Sequence, residues 1–467
     1  MNTPNSRKIK VAIVGGGISG MALVLAMQRF CKMGDFEVHI YESAVQITQV
    51  GAGIGIWQRT LDLLSDMGMG EDFQALRDEY DTPTRFTYRK SDQPEGETFY
   101  EAHMESDGNG RMLLLHRARI QEVFLKHISK DVKFHLAHRL ESYSYPDDDA
   151  AGKIMLKFRG GQEAQCDLLF GADGVASAVR HNFLPRLAQK TGRSEYLESV
   201  DAVFSGTCVY RDLVPVDRLM EVWPNHPAAT QPHQYCGKNM HIVTYPVQQG
   251  SLINVAPFYS DISKENAPFS GSQIGVSTTE EVLIRYKDWE PEVKALLGVR
   301  ASSPKHWAIL TVKPLDVWAD DGVFLLGDAA HAMTPHLGAG AGQEREQDKE
   351  LKFDAYYIAK ILAYVQDKGP LEILSAEPSA LYNRLRPPLA NFAQARSRLQ
   401  TLFYDFNEEG QDLSLVEASS SMHTEPDRLM RLGHGIWDGY LWPRHAIARK
   451  WDAEAAKVLS GDASGCS

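Results

Sequence analysis

Apolar and polar positions follow different rhythms along this chain, and the changes of rhythm mark its parts. Near the N-terminus a continuous apolar run, Val11 to Val14, is followed after a glycine turn by the small apolar positions Met21, Ala22, Leu25 and Ala26. That is the pattern of a buried strand feeding a helix that packs back onto it. A second strand, Glu37 to Tyr41, completes a βαβ unit, and Thr60 to Met67 extends it with helix. The stretch 81–110 carries Asp92, Pro94, Gly96, Gly108, Asn109 and Gly110 and reads as an excursion of short strands and turns. From about 195 to 315 the period becomes two, as in Ala202 to Tyr210, His241 to Tyr245 and Ser251 to Ala256. The strand and helix rhythm returns over 316–400, and 401–467 is largely helical and polar. The expected fold class is therefore α/β with interleaved parts. One body is assembled from 1–80, 111–190 and 316–400, a mixed β-sheet domain from 81–110 and 195–315, and a C-terminal helical region from 401–467. There is no internal repeat, and Asp147 to Asp149 read as a solvated turn.

Three glycine-rich segments punctuate the α/β body: VAIVGGGISG at 11–20, LLFGADGVASAVR at 168–180 and VFLLGDAAHAMTPHLGAGAG at 323–342. In the first, Gly15, Gly17 and Gly20 have G-x-G-x-x-G spacing between strand and helix. Gly15 permits the tight turn, Gly17 lets a pyrophosphate approach the backbone, and Gly20 lets helix and strand pack closely. The phosphates then meet a helix N-terminus, whose exposed N–H groups and dipole favour negative charge. Glu42, at the end of the second strand, stands where an acid takes a ribose 2′-OH. This fingerprint does not separate FAD from NAD. In the third segment Asp328 follows an apolar strand and Gly327, suited to a flavin's ribityl hydroxyls, and the run Gly338, Ala339, Gly340 leads towards a helix start facing the flavin pyrimidine. The three segments in this order point to one FAD site and a Rossmann-like FAD-binding domain.

Those segments, with QVGAGIGIWQRT at 49–60, LLLHRARIQEVF at 113–124, SGTCVYRDLVP at 205–215 and YCGKNMHIVTYPV at 235–247, resemble the FAD-dependent aromatic monooxygenases of the p-hydroxybenzoate and salicylate hydroxylase type, with the nearest look to fungal salicylate-hydroxylase-like members. The resemblance covers most of the chain. It implies that Arg117 touches the flavin phosphates or adenosine side, that Asp173 and Gly174 form a turn also met by the nicotinamide cofactor, that Asp328 holds the ribityl chain, and that Gly53 belongs to the cofactor site. It also implies the reaction. NAD(P)H reduces FAD as a transient co-substrate, and a C4a-hydroperoxyflavin hydroxylates a phenol or hydroxybenzoate, with oxidative decarboxylation where the attacked carbon carries a carboxylate. The absence of a second G-x-G-x-x-G agrees with a nicotinamide cofactor that visits.

Such chemistry needs a cation for an acidic substrate and a group to accept the phenol proton. By resemblance, Arg211 matches a substrate-orienting arginine. His241 and Tyr245 lie four apart on a β segment, so both side chains share one face. Tyr245 is assigned to hydrogen bonding the phenol and His241 to its proton path; for His241 a partly buried sheet histidine is the competing reading. Pro335 is expected to pass the flavin face, His336 is a pocket group or a turn residue, and His331 is structural. Tyr210, Tyr235 and Cys236 are read as packing residues, with lining of the pocket as the alternative.

The chain departs from the family after Gln343, where GAGAGQ runs into EREQDKELK before FDAYYIAKIL. Phe353 replaces a glutamate, and about seven residues, nearly two turns at ~3.6 per turn, are extra. A flavin-binding protein with impaired turnover is therefore the alternative function. Composition narrows the rest. At 467 residues with 43% hydrophobic content the chain can bury a large core, and a net charge of -12 argues against nucleic acid. The five cysteines show no C-x-x-C, so no metal site is expected. With no apolar run of ~18 residues and no signal-peptide pattern, a cytoplasmic, membrane-free enzyme is expected, monomeric or homodimeric as family members are.

Overall fold

The computed structural model describes residues 7–47, 53–56, 58–79, 85–103, 113–146, 153–269, 271–299, 304–337 and 354–407, with Leu429 and Lys457. Strand β1 (Ile9–Val14) sits inside a six-stranded sheet. It pairs in parallel with β2 (Phe36–Tyr41) on one side and β3 (Leu168–Gly171) on the other. The order runs Ala319–Asp320, β8 (Val323–Leu325), β3, β1, β2, Lys133–His135. Parallel strands covered on both faces read as continuous apolar runs, which is why Val11 to Val14 show no alternation. The cover includes helices α1 (Ile18–Phe30), α2 (Ala178–Thr191) and α4 (Asp354–Lys368), whose buried residues join one core with the sheet. Ile358, Ile361 and Leu362 of α4 lie in that core. Residues 338–353, which include Gly338, Ala339, Gly340 and the extra residues, lie outside the described part, as do Asp147 to Asp149.

The helix expected over Thr60 to Met67 is Gln58–Leu64 followed by a wide turn at Ser65–Met69, in which Gly68 takes a φ of 91°. The chain there turns rather than stopping.

The second sheet has eight strands among the described residues: Ile274–Val276, β7 (Lys305–Thr311), β4 (Val203–Pro215), β6 (Leu252–Ser260), β5 (Met240–Val247), His233–Gly237, Arg85–Lys90 and Glu97–His103. Strand β4 runs five residues beyond the alternating stretch that ends at Tyr210, because Asp212 to Pro215 still find partners in Val255 to Leu252. A strand ends where its ladder partner ends, and the side-chain pattern does not report that.

One face of this sheet, including Tyr210, Tyr235, Ile242, Ile253 and Val255, packs with Tyr286, Trp289, Leu296 and Leu297 around the helices Thr279–Arg285 and Pro291–Gly298. The other face carries Val209, Val243, Ala256, Phe258 and Trp307. Helix α5 (Pro387–Tyr404) contributes Leu399, Leu402, Phe403 and Tyr404 to a cluster with Phe86, Tyr88 and Cys236, against which Val243 and Tyr245 pack. It runs without a break through position 400. Its polar residues Gln394, Ser397, Gln400 and Thr401 are buried, although such residues usually mark a solvated face.

Candidate active site

The three glycine-rich turns meet at the carboxyl ends of β1, β3 and β8. Ala172 N donates to Val14 O at 2.8 Å, and Leu326 N donates to Gly171 O at 2.9 Å. Gly15 holds a φ of +108°, and a Cβ there would fall 2.2 Å from the Ala172 carbonyl oxygen. A Cβ on Gly20 would fall 2.1 Å from Gly15 O. Gly17 is the N-cap of α1 with no side-chain cap, and no acid occupies the first turn, which leaves the helix start open to an anion. The start of helix α3 (Asp328–His331) reaches the same place, since a Cβ on Gly327 would lie 2.4 Å from Ser19 Oγ. Asp328 is exposed at that junction, while Ala329, Ala330 and His331 are buried. Gly53 pairs with His116, next to Arg117 at the start of the helix Arg117–His127; the Arg117 side chain lies outside the described part.

Two acids of these turns have roles that motif spacing did not reveal. Glu42 Oε2 accepts from Gly16 N and Oε1 from Ala44 N, each at 2.8 Å, so it fixes the glycine turn. Asp173 accepts from Ser177 Oγ at 2.5 Å, Ala178 N at 2.7 Å and Val179 N at 3.2 Å. It thereby caps α2, and burial raises its pKa against those bonds. The neighbouring Gly174 holds a φ of +78°, a conformation that favours glycine. Arg180, 1% exposed, ties two of the motifs together by donating to Val175 O at 2.5 Å, Val200 O at 3.2 Å and Ala329 O at 3.0 Å.

Behind the Asp328 turn lies a buried charge cluster. Asp354 accepts from Gly327 N and His331 Nε2, each at 2.7 Å, and from Arg386 Nε at 2.8 Å. Burial pushes its pKa up, but the His331 and Arg386 charges and these bonds outweigh that and hold it well below the usual carboxylate range. His331 also stacks on Trp318 at 4.9 Å, so its place is structural. The family's Asp-Ala string just beyond the extra residues was the sequence signal for Asp354.

The face of the second sheet turned away from its two helices carries the remaining candidates. Val209 and His241 both oppose Phe258, and Val209 also opposes Trp307, so these four residues form a row across β7, β4, β6 and β5. Strand alternation puts Arg211 and Tyr245 on the same face. The Arg211 guanidinium lies 5.5 Å from the Trp307 ring centroid. Tyr245 is pushed up to about 12 by burial, with the Arg211 charge pulling the other way, so it stays protonated and able to donate at ordinary pH.

His241 is fully buried and bonded on both ring nitrogens. Nδ1 meets Asp405 Oδ1 at 2.6 Å, and Nε2 meets His336 Nε2 at 3.0 Å. His336 Nδ1 meets Thr401 Oγ at 2.7 Å. Pro335 is exposed at the start of the 335–337 turn, and the next residue enters this buried chain. His336 is held well below its usual pKa, first by burial and then by the charges of His241 and Arg398. Nothing in the sequence linked Asp405 to His241, 164 positions away.

Residues 8–343 match the family described as FAD binding domain. A salicylate hydroxylase of Pseudomonas putida is 32% identical over 406 residues, covering 84% of this chain and 85% of that protein. The chain belongs to the FAD-dependent aromatic monooxygenases of the salicylate hydroxylase type. A 6-methylsalicylate 1-monooxygenase of Aspergillus terreus is 27% identical over 86% of this chain and 84% of its own length. A solved salicylate hydroxylase substrate complex superposes with a TM-score of 0.73 at 26% identity, covering 96% of this chain and 97% of that one.

The glycine turns of this monooxygenase fit FAD: Gly15 and Gly20 have no room for a side chain in the turn that feeds α1, and the first turn of α1 carries no acid. Among the described residues no group of His, Cys, Asp and Glu suits a metal, and no helix is long and apolar enough to cross a membrane. Asp328→Ala is expected to weaken flavin retention about tenfold, the worth of roughly one charge-assisted hydrogen bond (~1.5 kcal/mol). The flavin-to-protein absorbance ratio after desalting measures this. A variant that stays fully yellow and active removes Asp328 from the site.

Proposed function

We propose that this flavoenzyme consumes NAD(P)H to hydroxylate a hydroxybenzoate or related phenol, releasing the carboxylate as carbon dioxide when the attacked carbon carries it. The observation that carries the reading is the shared sheet face of Arg211, Tyr245 and His241, with His336 bonded to His241 and followed back along the chain by Pro335. The assigned division into an FAD-binding body and a substrate sheet, with Gly15, Gly17, Gly20, Glu42, Gly53, Arg117, Asp173, Gly174 and Asp328 on the cofactor side, belongs to the same reading.

When bound, FAD supplies the redox chemistry and the activation of oxygen. The chain's own residues do the rest. Arg211, whose guanidinium lies 5.5 Å from the Trp307 ring centroid, binds the substrate carboxylate and sets which ring carbon faces the flavin. Tyr245, kept neutral by its surroundings, donates a hydrogen bond to the phenol oxygen. The His241–His336 pair takes the phenol proton, because a phenolate ring is the better nucleophile toward an electrophilic oxygen. The apolar row of Val209, Val243, Ala256 and Phe258 excludes water from the ring.

The test uses purified holoenzyme with salicylate and with phenol, following NAD(P)H oxidation and oxygenated product together. Salicylate-stimulated, product-coupled oxidation is expected. Arg211→Met should raise KM for salicylate about 10- to 100-fold, the worth of a charge-assisted contact at ~1.5–3 kcal/mol, and leave phenol unaffected. Tyr245→Phe should uncouple oxidation from product while FAD stays bound. Unchanged KM and coupling in both variants overturn the assignments, and a yellow wild-type protein indifferent to every phenol overturns the reading.

A further inference from the structure

We infer that Asp405, just past the end of α5, is a positioning residue for the reaction: it holds His241 as the tautomer that can receive a proton through His336. The inference rests on the reading of His241 as part of the substrate's proton path. Asp405 is 1% exposed, and its carboxylate accepts from His241 Nδ1 at 2.6 Å and from Ser260 Oγ at 2.5 Å. Its own carbonyl accepts from Asn239 N at 2.9 Å, which ties the α5 end to the turn before β5.

The donors and acceptors along this chain fix one another. A carboxylate only accepts, so His241 Nδ1 must carry the hydrogen. In the neutral ring Nε2 is then the lone pair, and His336 Nε2–H donates to it across 3.0 Å. That leaves His336 Nδ1 as an acceptor for the Thr401 hydroxyl at 2.7 Å. A proton delivered to the pair makes His241 an imidazolium with its positive charge against Asp405. The substrate oxygen keeps the electron pair of its O–H bond, an N–H bond forms at His336 Nδ1 through the Thr401 hydroxyl, and the His336 Nε2 proton passes to His241 Nε2, so the step needs no further reagent. An aspartate behind a histidine does the same work in the Ser-His-Asp triad, where the amide replacement keeps the geometry but permits the wrong tautomer.

Among the described residues, the groups facing the pair come from three packed elements. From β6 come Phe258, stacked 4.4 Å from His241, and Ser260. Helix α5 and its end supply Thr401, Tyr404, whose ring is 5.2 Å from His241, and Asp405, with the Arg398 charge acting on His336. From His233–Gly237 comes Cys236, whose thiol burial pushes well up and which therefore stays neutral. Lys238 Nζ is engaged by Phe406 O at 2.8 Å. Asp405 is thus the carboxylate bonded to the pair, and its removal should make the pair less basic.

The experiment compares wild type, Asp405→Asn, Asp405→Glu and His241→Gln as FAD-loaded proteins with salicylate and NADH. Asp405→Asn is expected to lower kcat about tenfold or more with KM little changed, and to move the acidic limb of the pH profile down by about one unit, the effect of losing an adjacent opposite charge. Asp405→Glu, which keeps the charge, should retain the limb. Nitrogen-15 histidine spectra of the wild-type protein, assigned by the signals lost in His241→Gln, should show His241 protonated at Nδ1. A lowered rate with an unmoved limb, or a wild-type Nε2–H tautomer, overturns the inference even if Asp405→Asn folds poorly. If His241→Gln itself leaves rate, coupling and pH profile unchanged, the proton-path reading fails. If His241→Gln alters them and Asp405→Asn does not, only the role of Asp405 fails.

Discussion

Gly15→Ala is expected to yield a protein that folds but emerges nearly colourless, with FAD affinity down roughly a hundredfold or more. Two terms act together. The φ of +108° disfavours any side chain, and the added Cβ would sit 2.2 Å from Ala172 O, a backbone atom that cannot rotate away. Strain of this kind costs about 1–3 kcal/mol, and overpacking a further 1–3 kcal/mol. Relief must come from parting β1 from the GADG turn, which misplaces the amides that meet the pyrophosphate. Gly16→Ala is the control. A Cβ at that neighbouring position would meet the Glu42 side chain at 3.2–3.3 Å, and a side chain can shift. The flavin-to-protein absorbance ratio should therefore fall far more for Gly15→Ala than for Gly16→Ala. Equal flavin content in the two variants would contradict this account of the turn.

The second large effect is on stability. Replacing Asp354 by alanine leaves Arg386, 1% exposed, without the carboxylate that balances it, and removes the acceptor of Gly327 N. Breaking one side of a buried ion pair costs about 3–5 kcal/mol. Thermal and urea unfolding of the apoprotein should show that loss, and flavin retention should fall too, because the Asp328 turn hangs on Gly327. Since the folded protein depresses the Asp354 pKa, its stabilisation is fully present above the unfolded value of about 3.9 and is lost as pH falls through the lower folded value. The wild-type and Asp354→Ala unfolding curves should therefore converge only in strong acid. A variant as stable as wild type at neutral pH would show that the cluster contributes little net energy.

Much of the cofactor side was legible in sequence because its determinants are local. A strand, a glycine turn and a helix start lie within a dozen residues, and each glycine answers a constraint from its own neighbourhood. Glu42 and Asp173 show the limit of that reading. Both stand at expected positions, yet their bonds to the Gly16 amide and the α2 amides, which hold the turns in shape, were not part of the motif's meaning. On the second sheet, the two-residue period was enough to put His241 and Tyr245 on one face. It did not say which face meets the helices at 279–298, nor that Arg211 joins them beside Trp307.

The polar residues of α5 and the acid that follows it are the clearest case of what sequence withholds. Thr401 and Asp405 look like part of a solvated helix and its end, and the structure buries both against the histidine pair. The sequence by itself determined the α/β class, the FAD turns and the family, because these are written in short-range spacing and in the chemistry of single residues. The tertiary structure alone decided that Asp405, His241, His336 and Thr401 form one buried chain, with the half-buried Ser260 at its end, and that Asp354 anchors the Gly327–Asp328 turn. Those arrangements depend on segments brought together by packing. Hydrogen-bond partners far apart in sequence leave no periodic trace, and a polar residue is patterned alike whether water or a buried partner satisfies it.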